Sequence, residues 1–386
     1  MDFKEMILLI DKILKKSAEQ GNNITRQDLF SMNYTVLFSL LNPYLENIRE
    51  TTSLSPLRKF EISYNKIHGY ASLVTIIFGV LTNIIVITVL KQKKMRTPVN
   101  IILQSLAVFD TLTMVAYVPF AIKFYVIYSP GVVSPEAWTL PWAHAAAFIT
   151  SFTATTHTIS IWLVVNLSIF RFVHIRKMVA SSTTRSQKIC LAKKLIFCTT
   201  CISILVMIPH YLNHEIKATE IETINVTFYS LKEFELVSAD TKPLVLVNFL
   251  LYAVVGKIIP CILIVIFGGL LLYHVAIKAR ARRRKFYLSN NTINNRSSRM
   301  TVILLVVMVI FILIECPQGV LLIMSLFVPQ FYNNVYVSLG DVMDMAALLN
   351  NSFNFTLYCS MSAQFRQTFL RMYVHRVLKL CKRPSN

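Results

Sequence analysis

Long apolar runs are the feature of this sequence that most limits its fold. Seven runs are each close to the ~20 residues that a helix needs to cross a bilayer, and they cover residues 70–90, 99–122, 143–170, 195–212, 244–277, 302–328 and 337–361. The chain is 55% hydrophobic and only 15% charged, which is too apolar for an ordinary water-soluble protein. Because the runs are long and do not alternate, they exclude barrel strands. The sequence therefore predicts an all-α membrane protein built as a bundle of seven transmembrane helices.

The distribution of basic residues predicts the orientation of the bundle. Segments 91–96, 171–194 and 278–299 carry 4, 7 and 8 Lys plus Arg, and the tail 363–386 carries 6. None of the four segments contains Asp or Glu, so we expect them to lie in the cytosol. The net charge of +20 then indicates a surface for anionic membrane lipids or an acidic cytosolic partner, rather than for nucleic acid.

This topology divides the chain into three parts. We expect an extracellular amino-terminal segment at 1–66, a seven-helix transmembrane domain at 67–362, and a cytoplasmic amphipathic helix with a basic tail at 363–386. Asn-x-Thr sequons on the predicted outside, where glycans can attach, are Asn23, Asn33 and Asn225. All seven cysteines fall in predicted helices or on the cytosolic side, so we expect no extracellular disulfide.

Ionisable side chains inside the apolar runs are the sharpest functional signal. A charge at the bilayer centre costs several kcal/mol if lipid surrounds it, yet Glu315 stands alone as an acidic residue in the run 302–328. It lies two residues before Pro317, and Lys257 lies three before Pro260. An intramembrane proline bends its helix and helps to open a cavity. The remaining polar marks in the runs are Asn83, Asp110, His157, Ser160, Asp341, Asp344, Asn350, Asn351 and Asn354.

Several of these marks resemble the motifs of rhodopsin-like G-protein-coupled receptors over roughly residues 66–375. The string "GVLTN" ends at Asn83, "LAVFD" ends at Asp110, and "NFTLY" runs from Asn354 to Tyr358. They occur in the family's order and on the matching helices. "SAQFRQTFLRMY" then resembles the family's short amphipathic eighth helix, with one apolar stripe formed by Phe365, Phe369, Met372 and Tyr373.

Further strings are similar to those of invertebrate FMRFamide-like peptide receptors, in the myosuppressin-receptor-like branch that is expanded in nematodes. They are "YNKIHGYASLV", "KKMRTPVNIIL", "HTISIWL", "KIIPC", "ECPQG" and "LYCSMSAQFR". This resemblance implies a plasma-membrane receptor for short peptides ending in Arg-Phe-amide, coupled to heterotrimeric G proteins, often of the inhibitory class.

The resemblance also implies roles for individual residues. A ligand pocket would have His157, Lys257 and Glu315 at its floor, with Gln318 nearby, Asp344 on its wall and Asp341 near its rim. No resident cofactor is implied, apart from a sodium ion in a polar network of Asp110, Ser160, Asn350, Asn354 and Asn83. The residues expected to couple to the G protein are Arg171 and Tyr358, together with the basic residues 278–285, which equally suit a lipid anchor. Cys381 in the basic tail is a candidate for palmitoylation or a free thiol.

The sequence departs from the family pattern at several positions. The usual Asp-Arg-Tyr of the third helix is "FRF" at 170–172, so Arg171 lacks the neighbouring acid, and packing by Phe170 and Phe172 is a candidate substitute. The outer cysteine pair is absent, and Ala146 stands at its third-helix position. Glu315 replaces an aromatic residue in the sixth helix, and Phe355 replaces the proline of the seventh.

Two accounts explain how Glu315 is tolerated. In one, Lys257 neutralises it in a structural ion pair, whose disruption costs several kcal/mol. In the other, Glu315 and Asp344 receive the guanidinium of a peptide arginine, since its planar fork bonds a carboxylate in two places. Both hold if the arginine competes with Lys257, and His157 is then either a hydrogen-bonding partner of the pair or a satisfied interior histidine.

Other classes of protein fit the sequence less well. An enzyme needs paired inward carboxylates, a metal cluster or an activated nucleophile. His210 and His214 have the spacing of metal ligands but are an isolated pair of histidines. A retinal protein needs a lysine in the seventh helix, and 337–361 contains none. A transporter would show repeated halves. The remaining alternative is a chemosensory receptor of the same fold for a small odorant.

Overall fold

Long helices make up most of the protein. The computed structural model describes residues 55–128, 136–177, 184–221, 226–231, 243–285, 294–353 and 363–374. In the first half of the chain the helices are α1 Pro56–Leu90, α2 Pro98–Ala121 with a π-helical continuation at Ile122–Ile127, α3 Leu140–Lys177 and α4 Arg185–Leu212. A short 3₁₀ turn, Lys93–Met95, joins α1 to α2.

The second half of the chain contains more π-helical turns than the first. Helix α5 consists of Pro243–Leu250, a π-helical segment Leu251–Ile258 and Ile259–Lys285, and α6 is Asn294–Phe327. Helix α7 consists of the π-helical turn Tyr332–Tyr336 and Val337–Ser352, and α8 of Ala363–Phe369 with a π-helical end Leu370–Val374. Six of the described helices, α1 to α6, are long and apolar enough to span a membrane. Helix α7 packs against α1, α2 and α6 in the place of the seventh span.

The first helix begins earlier than the apolar run that predicts it. Ser55 caps its amino terminus by accepting a hydrogen bond from the Arg58 backbone at 3.3 Å, and Pro56 occupies the first turn, where its missing N–H is not needed. Residues 56–66, expected in the outer amino-terminal segment, therefore form the first turns of α1. Hydropathy did not indicate these turns because they carry charged side chains.

A β-hairpin between α4 and α5 is the one described element that the all-α prediction lacked. Strand β1, Ile216–Ile221, pairs antiparallel with β2, Val226–Leu231, so that Ile216 lies opposite Leu231. The strands are rich in β-branched and aromatic residues. They lie in the segment 213–242, which contains six acidic and three basic residues.

Apolar side chains pack between the helices in separate clusters. One joins α1, α2, α3 and α4 around Ile102 and Leu163, and Phe365 of α8, 1% exposed, packs into it. Phe369, Met372 and Tyr373 lie against the same cluster. That α8 lies along the membrane surface stays a prediction.

The wide turns of α5 are held by a side chain from α3. In a π-helix each N–H bonds the carbonyl five residues earlier, and Pro260 has no N–H to offer Val255. The indole N–H of Trp162 donates to that carbonyl instead, at 3.1 Å. Trp162 thereby satisfies the backbone group that proline leaves free, directly beside Lys257.

Candidate functional site

A cavity of about 550 Å³ lies between the helices at the hairpin end of the bundle. Helices α2, α3, α5, α6 and α7, the end of α4 and strand β2 all contribute to its lining. Its polar lining residues include Thr113, His157, His210, Asn213, His214, Asn248, Gln318, Asp341, Asp344 and Asn351. Its size and its mixed polar and apolar lining suit a small ligand, such as a few side chains of a short peptide.

Beneath this cavity, Glu315 forms an ion pair with Lys257. The Lys257 Nζ lies 2.6 Å from Glu315 Oε2, and both side chains are 0% exposed. His157 of α3 places its Nε2 3.1 Å from Glu315 Oε1. Glu315 thus faces the interior of the bundle, where α5 and α3 supply its partners, and not the lipid.

The structure differs from the expectation that Glu315 and Lys257 form the floor of the pocket. Neither lines the cavity, whereas His157, the third member of the cluster, does. Lys257 directs its ammonium to Glu315, and His157 contacts the same carboxylate from α3, so the two charges meet each other rather than the cavity. His157 is therefore the group through which a ligand can touch the ion pair.

The two acids of α7 do line the cavity, and their surroundings differ. Tyr125 donates a short hydrogen bond to Asp341 Oδ1. Tyr125 reaches this position because Gly69 of α1 leaves room for it; a Cβ at Gly69 would overlap Tyr125 Cβ. Asp344 is exposed into the cavity and makes no hydrogen bond or ion pair with another described residue. It is the open carboxylate of the site.

Aromatic side chains of α5 and of the π-helical turn of α7 line the same cavity as Asp344. Phe249 packs edge-on against Tyr332 with ring centroids 5.2 Å apart, and Tyr332 stacks on Tyr336 at 5.3 Å. Gln318 Nε2 donates to the Tyr336 hydroxyl at 3.4 Å, so Gln318 borders this wall as well as the cavity. Gln318 was predicted from the sequence, but none of these aromatic residues was, because the contact between Phe249 and Tyr332 joins residues of different helices.

The two histidines with metal-ligand spacing meet on a serine. His210 Nδ1 lies 3.0 Å and His214 Nε2 2.8 Å from Ser151 Oγ of α3. Burial lowers the pKa of His214. Among the described residues no group of three or more His, Cys, Asp or Glu is arranged to hold a metal ion.

Buried polar residues lie where α1, α2 and α7 meet. Asp110 is 2% exposed, and Asn83 Nδ2 donates to the Asn351 carbonyl at 3.0 Å. Asn351 is buried, whereas Asn350, the residue expected in the network, is half-buried. Asn354 lies outside the described residues.

The chemistry of three predicted residues, Asp110, Ser160 and Asn83, fits the sodium ion that the resemblance implies. Ser160 Oγ and Asn83 Oδ1 are buried and have no hydrogen-bond partner among the described residues. Together with the carboxylate of Asp110 they form a set of hard oxygen donors, which suits such a cation.

At the other end of the bundle, Arg171 is half-buried near the end of α3. Its neighbour Phe172 packs on α5, with ring centroids 5.9 Å from Phe267 and 5.6 Å from His274, and Phe170 lies against the cluster around Leu163. Aromatic packing thus stands beside Arg171 on both sides. The remaining predicted positions lie outside the described residues: Tyr358, Cys381, Asn23, Asn33 and Asn225.

Comparison with known proteins identifies the family. Residues 70–376 match the family described as "Serpentine type 7TM GPCR chemoreceptor Srw". The chain belongs to the Srw family. It is therefore a multi-pass membrane protein of the G-protein-coupled receptor type, a class of receptors rather than of enzymes.

Similar proteins include a receptor that is named for a peptide. The chain is 24% identical over 366 residues to "G-protein coupled receptor dmsr-1" of Caenorhabditis elegans, covering 84% of this chain and 71% of that protein. It is 24% identical over 336 residues to the "Sex peptide receptor" of Drosophila melanogaster, covering 81% and 73%. It is 26% identical over 350 residues to "Sex peptide receptor-related protein 2" of C. elegans, covering 83% and 74%.

A solved structure confirms the fold of this Srw receptor. Squid rhodopsin matches with a TM-score of 0.59 at 19% identity, covering 86% of this chain and 90% of the rhodopsin chain. The predicted seven-helix bundle of the rhodopsin-like type is therefore confirmed.

Proposed function

We propose that this Srw-family receptor binds a short amidated peptide of the FMRFamide-like or myosuppressin-like class, ending in Arg-Phe-amide. In this proposal it lies in the plasma membrane with its amino terminus outside, and it signals through heterotrimeric G proteins of the inhibitory class. The support is the motif resemblance, together with relatives whose names describe a receptor for sex peptide or a protein related to one.

The observation that carries the proposal is the open carboxylate of Asp344. A carboxylate that lines a cavity and forms no ion pair within the described residues is suited to receive a cation from the ligand. Arginine fits because its guanidinium bonds a carboxylate in two places and stacks on aromatic rings. The aromatic wall of Phe249, Tyr332 and Tyr336 lies in the same cavity and suits both the guanidinium face and the following phenylalanine.

Glu315 has a different part in this proposal from the one that the sequence suggested. Lys257 already neutralises it away from the cavity, so we assign the peptide arginine to Asp344 and leave Glu315 in the internal ion pair. A ligand that displaces His157 from Glu315 changes the energy of this cluster beside Pro317. Such a ligand shifts α6 only if it binds the arrangement with His157 displaced more tightly than the arrangement with His157 bonded to Glu315.

The inner half of the receptor completes the proposal. A sodium ion at Asp110, held with oxygens of Ser160 and Asn83, would keep α2 and α3 in their inactive arrangement. Arg171, Tyr358 and the basic residues 278–285 are proposed to meet the G protein when the helices open. Glycans at Asn23, Asn33 and Asn225 and a lipid at Cys381 stay predictions that mass spectrometry of the purified receptor can test.

The experiment is a peptide screen on cells that express the receptor, with inhibition of cyclic AMP as the readout. Peptides ending in Arg-Phe-amide should activate, and the same peptides with a free carboxylate should be about 100-fold weaker. A terminal carboxylate would lie beside Asp341 and Asp344, and such like-charge contacts cost several kcal/mol. Equal potency of amide and acid forms would contradict the proposed recognition.

A second candidate function follows from the family description, which names a chemoreceptor. In that case a small odorant would occupy the cavity, and the acids would select an amine rather than an apolar volatile. Silence to every Arg-Phe peptide, with a response to small amines, would favour this alternative.

A further inference from the structure

The β-hairpin forms part of the wall of the ligand cavity. Leu231, the last residue of β2, lines the cavity, and so do Asn213 and His214, which precede β1. A two-stranded hairpin is at best marginally stable by itself in water. The full sequence also places none of its seven cysteines in the segment 213–242 or the segment 129–141, so a disulfide does not hold it.

One attachment holds the start of the hairpin. Ser151 of α3 is 0% exposed, and its hydroxyl lies 2.8 Å from His214 Nε2, two residues before β1 begins. His210 of α4 shares the same hydroxyl at 3.0 Å, with the two imidazole centroids 5.2 Å apart. A hydroxyl can donate to one imidazole and accept from the other, so Ser151 joins α3, α4 and the hairpin.

A second attachment holds the returning strand. The Tyr229 backbone N–H donates to the Trp138 carbonyl at 2.9 Å, on the edge of β2 that faces away from β1. Trp138 is itself held by its ring, which packs on Phe124 of α2 at 4.6 Å between centroids. Lys123 supports the same corner, since its Nζ lies 3.3 Å from the Glu136 carbonyl and 4.9 Å from the Trp142 ring.

We propose that Ser151 and Trp138 are positioning residues that anchor the open end of the hairpin to the bundle, one through the start of β1 and the other through β2, and so make it a fixed wall of the cavity. Loss of either anchor leaves one of the two strands without its attachment to the bundle. With both in place, the strands, the end of α4 and the start of α3 move as one body. This inference holds whichever ligand the cavity takes.

Amide hydrogen exchange on the purified full-length receptor in nanodiscs, without ligand, tests the proposal. In the wild type, the Tyr229 amide should be protected although β1 does not bond it. Ser151→Ala removes the shared hydroxyl, and Trp138→Ala removes the ring that positions the accepting carbonyl. Each should speed exchange in 216–221 and 226–231 about tenfold, an effect the size of roughly one hydrogen bond. Trp138→Phe keeps the ring contact with Phe124 and should restore protection.

Ser168→Ala is the matched control for Ser151→Ala. Ser168 is also a buried serine of α3, but its hydroxyl bonds the Val164 carbonyl of its own helix at 3.0 Å. Exchange in the hairpin should be unchanged in this variant. If the wild-type Tyr229 amide exchanged as fast as an exposed one, or if Ser151→Ala and Ser168→Ala behaved alike, the anchoring would be refuted.

Discussion

Glu315 and Asp344 are acids in neighbouring helices of one bundle, but their surroundings are opposite. Glu315 is 0% exposed, 2.6 Å from a lysine and closed off from the cavity. Asp344 is exposed to the cavity and forms no ion pair with another described residue. The comparison shows that an ionisable residue in a membrane helix marks a function only after its partners are known. An acid neutralised from within stabilises the bundle, whereas an open one is available to a ligand.

Breaking the ion pair should have the largest effect. Lys257→Met leaves Glu315 as an uncompensated buried charge, and we expect a loss of about 3–5 kcal/mol in stability. The double variant Lys257→Met with Glu315→Gln should recover most of it, because neither charge then remains. Thermal unfolding of detergent-extracted receptor measures both effects, and strictly additive losses would show that the pair is not coupled.

Removing the open charge should instead change ligand response without changing stability. Asp344→Asn should weaken an Arg-Phe-amide peptide by about 100-fold, roughly 2.7 kcal/mol, because the guanidinium loses its counter-charge. Asp341→Asn is the matched comparison and should have the smaller effect, since Tyr125 already engages that carboxylate. Equal effects of the two variants on potency would remove the distinction between these acids.

Loss of the indole N–H beside the ion pair should have a moderate effect. Trp162→Phe leaves the Val255 carbonyl without its donor, at a cost of about 1–3 kcal/mol. Trp142→Phe is the control, because its indole makes no hydrogen bond within the described structure. The unfolding midpoint should fall for Trp162→Phe only; if both variants fell equally, the hydrogen bond to α5 would be irrelevant.

A pair of glycine variants should have the smallest effects on stability, and only one of the two should destabilise the receptor. Gly69→Ala should destabilise by about 1–2 kcal/mol, because its Cβ would overlap Tyr125, which positions Asp341. Gly269→Ala in α5 meets no atom within 4 Å and should be neutral or stabilise by up to ~1 kcal/mol. Equal midpoints for the two variants would contradict the close approach of Tyr125 to α1.

The sequence was informative about the helices and about which polar residues matter. Apolar length predicted the spans, and the resemblance to rhodopsin-like receptors placed Lys257 and Glu315 together in the bundle. It did not show which acid faces the cavity. Each π-helical turn adds a residue and rotates the following side chains around the helix axis. Such turns precede Asp341 and Asp344 in α7 and surround Lys257 in α5.

The hairpin and its contacts were beyond sequence reasoning for a related reason. Ser151, His210 and His214 converge through tertiary packing, and their spacing alone suggested only a metal pair. Likewise, of the two neighbouring asparagines on α7 it is Asn351 and not Asn350 that is buried, a shift of one position that periodicity does not resolve in a helix with irregular turns.

The most direct test compares arginine with citrulline, its neutral near-isostere, in the same Arg-Phe-amide peptide. The ratio of the two potencies measures how strongly the receptor reads the charge. If Asp344 receives the arginine, the potency ratio should be large for the wild type and for the double variant Glu315→Gln with Lys257→Met. It should be near one for Asp344→Asn. A ratio that collapses in the double variant and persists in Asp344→Asn would show that Glu315, and not Asp344, receives the ligand.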